Sequence, residues 1–141
     1  MLLLLTSCQK HNIYFDTKTQ KVISCNDIPI SSFSIENDSI KPDGFPYEAA
    51  MLFKWEGNVH LIPSSFSFDS IPKEYISTKG GLIYKSKVKL NPNCRYTIEK
   101  SGNGLSPCII KIWINSKGYV YKTTHPVCIK NEGVPKEWIN K

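Results

Sequence analysis

The stretch Ile109-Ile110-Lys111-Ile112-Trp113-Ile114-Asn115-Ser116-Lys117-Gly118-Tyr119-Val120-Tyr121-Lys122-Thr123-Thr124 sets the fold class of this chain. Ile110, Ile112 and Ile114 alternate with Lys111 and Trp113, the period of two expected when one face of a strand is buried and the other meets water. Asn115-Ser116-Lys117-Gly118 then supplies a type I turn closing on a glycine bulge, so the two arms run antiparallel. The same pattern recurs along the chain in short runs, broken by Pro, Gly, Asn and Ser. It predicts strands at 13–15, 21–25, 32–35, 49–55, 59–62, 82–90, 95–100, 109–115 and 118–124, with almost no helix. Glu56-Gly57-Asn58 is expected to close a second hairpin between 49–55 and 59–62, while 40–47 and 63–75 read as loops. The expectation is an all-β antiparallel sandwich of seven to nine strands.

At 141 residues and 16.0 kDa the chain has the size of one domain, too short for a large Rossmann or barrel enzyme. Hydrophobic residues make up 40% and aromatics 11%, enough for a core and too much for wholesale disorder. Eighteen Lys and Arg against twelve Asp and Glu leave +6, yet Arg95 is the single arginine and the lysines are spread over the whole length. Phosphate and base recognition lean on arginine forks, so nucleic acid is a poor partner here and attraction to acidic surfaces a better one.

Recognisable catalytic patterns are absent from the sequence. It holds no Gly-x-Ser-x-Gly elbow, and His11, His60 and His125 stand apart from one another. Asp16, Asp27, Asp38, Asp43 and Asp69 fall at turn-like positions where Asp caps backbone groups. Gly80-Gly81 is too short to cradle a phosphate. The expectation is a protein without enzymatic activity, cofactor or metal. Two surface features stand out as contact candidates. Lys85, Lys87 and Lys89 alternate along a strand and would share one face, unless they simply solvate it. Phe66 and Phe68, with Tyr75, form either a protruding aromatic patch or a lid folded onto the core.

Met1-Leu2-Leu3-Leu4-Leu5-Thr6-Ser7-Cys8 is followed by the polar run Gln9-Lys10-His11-Asn12. Leu5-Thr6-Ser7-Cys8 resembles a bacterial lipobox, in which the chain is cut before a cysteine that then carries the acyl chains. The apolar run is shorter than an ordinary signal peptide and lacks a basic start; a start codon further upstream would explain both. The expected organisation is a signal-peptide remnant at 1–7, lipidated Cys8 and tether at 8–12, a β-sandwich at 13–129 and a tail at 130–141 docking through Trp138. Such an anchor holds a protein on a membrane, and Gln9 after the cysteine resembles the sorting signal for the outer membrane. The remaining Cys25, Cys94, Cys108 and Cys128 form an even set, which in an exported domain reads as two disulfides with three possible connectivities. No Cys-x-x-Cys spacing supports zinc. The hairpin at 109–124 favours Cys108 with Cys128, leaving Cys25 with Cys94.

Leu90-Asn91-Pro92-Asn93-Cys94-Arg95-Tyr96-Thr97-Ile98 resembles the tyrosine corner of immunoglobulin-like and fibronectin type III domains, where a Tyr hydroxyl satisfies a backbone group upstream. Together with the lipobox, Asn12-Ile13-Tyr14-Phe15-Asp16 and Ile112-Trp113-Ile114-Asn115-Ser116-Lys117-Gly118-Tyr119-Val120-Tyr121, it makes the chain resemble the small enterobacterial lipoproteins of type VI secretion immunity. Residues 40–78 carry none of that resemblance. It implies a periplasm-facing lipoprotein that binds and inhibits a toxin protein, a phospholipase first and a peptidoglycan hydrolase second. Phe66, Phe68, Lys85, Lys87 and Lys89 are the contact candidates on that view. The alternatives are a structural lipoprotein of an envelope or secretion assembly, and an enzyme with an unrecognised site. The sequence assigns no oligomeric state.

Overall fold

In a computed structural model the described residues are 12–47, 50–78, 82–84, 88–102 and 105–128. They form ten strands: β1 (Ile13–Asp16), β2 (Lys21–Ser24), β3 (Ser32–Asn37), β4 (Met51–Trp55), β5 (Ser65–Phe66), β6 (Tyr75–Thr78), β7 (Leu82–Tyr84), β8 (Arg95–Gly102), β9 (Leu105–Ile114) and β10 (Val120–Thr123). All described pairings are antiparallel. One sheet has the order β10-β9-β8-β3-β4-β6-β7 and the other β1-β2-β5, so the chain is an all-β protein of two sheets. Phe15, Val22 and Phe66 from the small sheet meet Phe33, Phe53, Ile98, Ile110 and Ile112 from the large one, all buried in a single core.

The β9–β10 hairpin has the expected form. Cys108, Ile110, Ile112 and Ile114 are buried, whereas Lys111 and Trp113 are only partly so. Asn115 Oδ1 accepts the Lys117 and Tyr119 N–H groups, each at 2.9 Å, and Gly118 takes φ +88°, where a side chain would be strained. The corner at Tyr96 also takes the expected geometry: its hydroxyl accepts the Asn91 N–H at 2.8 Å.

The second expected hairpin does not form. Residues 59–61 make a 3-10 turn, because Asn58 Oδ1 accepts the His60 N–H and Asn58 O the Leu61 N–H, both at 2.9 Å. Val59 and Leu61 stay about two-thirds exposed, so this apolar run has no core to enter. Strand β4 pairs with β6 instead, a strand lying next to what reads as a loop in the sequence. Gly57 permits the crossing, since a Cβ there would lie 2.7 Å from Glu74 Cγ. The expected strand at 82–90 is described as β7 at its start; Val88, further on, donates its N–H to Phe68 O at 2.8 Å.

The cysteine pairing is also corrected. Cys25 is bonded to Cys128, while Cys94 and Cys108 are buried thiols outside that bond. The expected Cys108–Cys128 bridge fails because the chain running beside β9 makes its last backbone bond at Thr124, whose N–H donates to Lys111 O at 3.0 Å, and Pro126 has no N–H to continue the ladder. His125 O instead accepts the Phe15 N–H at 2.9 Å, carrying Cys128 to the small sheet and to Cys25. Cys94 precedes Arg95 on β8, whereas Cys108 pairs with Lys100. Six residues of strand, about 20 Å, separate those levels, so these two thiols cannot meet.

Candidate functional site

The long strands of the large sheet turn alternate residues outward, and one row crosses three of them. Arg95 on β8 stands opposite Trp113 on β9, and Trp113 opposite Lys122 on β10. Lys122 Nζ sits 4.6 Å from the centre of the Trp113 ring, a cation over the negative face of an aromatic system. The next row holds Thr97 and Lys111. Asp38, just beyond β3, reaches both rows. Its Oδ2 accepts from Thr97 Oγ1 at 2.6 Å, from Lys111 Nζ at 3.0 Å and from Arg95 Nε at 3.3 Å. Lys111 Nζ also donates to Thr97 Oγ1 at 2.8 Å.

Burial pushes the Asp38 carboxyl up, but hydrogen bonds from Thr97 and Lys111, and the charges of Lys111 and Arg95, outweigh it and hold the pKa below the usual 3.8. Asp38 is therefore a fixed anion at neutral pH. It braces Arg95 by Nε alone, and the two terminal amino groups of the guanidinium have no acceptor among the described residues. Beside this cluster lies an open groove of about 810 Å³, lined by Asp38, Ile40, Arg95, Trp113, Ser116 and Tyr121 among others. Ile40 and Tyr121 are more than half exposed on its walls. Chemically the groove sets a positioned arginine fork beside aromatic and aliphatic walls.

The residues singled out from sequence are not brought together. Phe66 and Phe68 are buried at 4% exposure and cannot serve as contacts. Val22 opposes Phe66 across the β2–β5 ladder, and the Phe66 ring stacks on Phe33 with 4.1 Å between centres. Tyr75 is buried likewise, its hydroxyl donating to Ile30 O at 2.6 Å. Lys89 is exposed, whereas Lys85, Lys87 and Cys8 lie outside the described residues. Asp16 and Asp43 do cap turns, accepting the Lys18 and Phe45 N–H groups. Asp38, grouped with them by sequence, is the centre of the cluster instead. Two sequence signals point at the groove: Arg95 is the lone arginine, and Trp113 falls on the outward phase of β9.

One polar group points the other way. Lys100 is 1% exposed and lies in register between buried Phe33 and Cys108. Burial pulls its pKa down from 10.5 to about 8, against a smaller opposing effect of Cys108. The folded protein thus loses this proton near pH 8 and the unfolded chain keeps it to about 10.5. Between those values the unfolded state binds more protons, so stability rises with pH. Charging Lys100 costs on the order of 3 kcal/mol, fully felt below pH 8. The stability advantage of Lys100→Met over wild type, measured by urea denaturation, should shrink from pH 7 to pH 10.5. A constant difference across that range would contradict it.

Compared with known proteins, the chain matches no family model, no curated protein and no solved structure.

Proposed function

We propose that this protein is a lipid-anchored, periplasm-facing immunity protein that binds and inhibits a toxin delivered by a type VI secretion system, a phospholipase or a peptidoglycan hydrolase. The observation that carries it is the position of the groove relative to the tether. Ile13 N donates to Cys108 Sγ at 3.4 Å, which puts the start of β1 at one end of β9. The groove includes Trp113 and Ile114 at the other end, six residues or about 20 Å away. A chain anchored through Cys8 would present the groove away from its membrane. The Cys25–Cys128 disulfide suits an oxidising compartment such as the periplasm. An immunoglobulin-like or fibronectin type III lineage belongs to the same proposal, supported by the Tyr96 corner; the division into seven and three strands is what such a lineage would have to accommodate.

Cells lacking the gene should be killed when the toxin encoded beside it reaches the periplasm, and cells carrying it should survive. The Cys8→Ser protein should leave the membrane fraction and protect less well. Equal killing with and without the gene would remove the immunity assignment and favour a structural lipoprotein of the envelope.

A further inference from the structure

We infer that the groove receives an acidic loop of a partner protein, with a Glu or Asp carboxylate held by the Arg95 guanidinium beside Trp113. This deepens the proposed function and rests on it for the partner's identity, though not for the chemistry. Arg95 and Lys111 both bond Asp38 Oδ2, Lys122 sits over Trp113 in the row of Arg95, and Glu36 stands opposite Thr97 in the next row. Three cations against the carboxylates of Asp38 and Glu36 leave these two rows with one net positive charge, and the whole chain carries +6. Asp38 holds Nε and leaves the terminal amino groups without an acceptor among the described residues. Those groups form the edge of a guanidinium that grips a carboxylate by two parallel hydrogen bonds.

The shape selects a loop over a free ion. A groove of about 810 Å³ is far larger than one carboxylate, and Ile40, 68% exposed, with Tyr121, 59% exposed, offers it apolar walls. Phe45, also 68% exposed, lies on the same loop after β3, where Ile40 pairs with Pro46. An acidic side chain flanked by apolar residues matches both parts.

The test uses the full chain, ¹⁵N-labelled, titrated with two blocked tripeptides, acetyl-Gly-Glu-Gly-amide and acetyl-Gly-Gln-Gly-amide. The Glu peptide should shift the Arg95 Nε–H and Trp113 indole N–H signals and bind roughly tenfold more tightly than the Gln peptide. That preference should vanish in Arg95→Gln and weaken severalfold in Arg95→Lys, which keeps the charge and loses the fork. It should persist in Lys89→Gln, which removes an exposed charge elsewhere, and thermal unfolding should confirm that all variants are folded. Equal binding of the two peptides, or full binding by Arg95→Lys, would overturn the inference. The peptides contain no toxin, so the two readings separate. Selective peptide binding by a protein that does not protect cells removes immunity and keeps the groove, and protection that survives Arg95→Gln without peptide selectivity does the reverse.

Discussion

Reducing the Cys25–Cys128 bond, or replacing both cysteines with serine, is expected to cost about 4–5 kcal/mol. The bond joins residues 103 apart, and in the chain-entropy model a loop of about 100 residues is worth roughly 4.7 kcal/mol because closing it removes so many unfolded conformations. Domains of this size are stable by about 5–15 kcal/mol in total, so the loss takes a large share. Thermal unfolding of the double serine variant should fall by about 10–20 °C. Non-reducing peptide mapping should show Cys25 linked to Cys128, with Cys94 and Cys108 alkylated only after unfolding because both are buried. A loss below about 1 kcal/mol would show that the unfolded chain is already compact around these two residues. A Cys94–Cys108 link would contradict the strand register itself.

Phe33→Ala should be comparably damaging, by about 3–5 kcal/mol. Phe33 sits on β3 at 1% exposure and stacks on Phe53 and Phe66 with ring centres 4.8 and 4.1 Å away. Phe68 and Tyr75 meet it edge-on. Phe66 belongs to the small sheet and Phe53 to the large one, so the ring bridges the two layers, and its removal leaves a void that neither side can fill alone. Urea denaturation gives the magnitude. Phe66→Ala should be destabilising too, and the double variant should lose less than the sum, since aromatic pairs in contact couple. A cost below about 2 kcal/mol for Phe33→Ala would mean the sheets close over the gap.

The β9–β10 hairpin and the Tyr96 corner were legible because each is a local event: alternation, a turn and a hydrogen bond within a few residues. Residues 59–61 misled because Val-His-Leu has strand composition, while Asn58 offered the backbone a closer partner than any strand did. Phe66-Ser67-Phe68 carried a usable signal, two aromatic rings close together in an otherwise polar stretch, and both are buried, Phe66 from β5 and Phe68 from the turn that follows it. Carried on past Pro126, the hairpin pattern points to Cys108 with Cys128, but the ladder beside β9 ends at Thr124. Asp38 meets Thr97 and Lys111 across 59 and 73 residues of chain, contacts that exist only once β3, β8 and β9 are side by side. No local pattern encodes such a meeting.

The Cys25–Cys128 bond also fixes how the molecule carries force. Tension arriving through the amino-terminal segment enters at Asn12, whose carbonyl accepts the Cys25 N–H at 2.8 Å. The turn after β1 lies near the groove, where Gln20 bonds Val120 in both directions. A tug between a fixed anchor and a captured partner would therefore act along the axis of β1. The four β1–β2 rungs would share the load in shear rather than open one after another like a zipper. Behind them the sulfur bridge passes the strain straight to residue 128, 103 positions along the chain, so the pull reaches the last described residue without first unravelling the residues between.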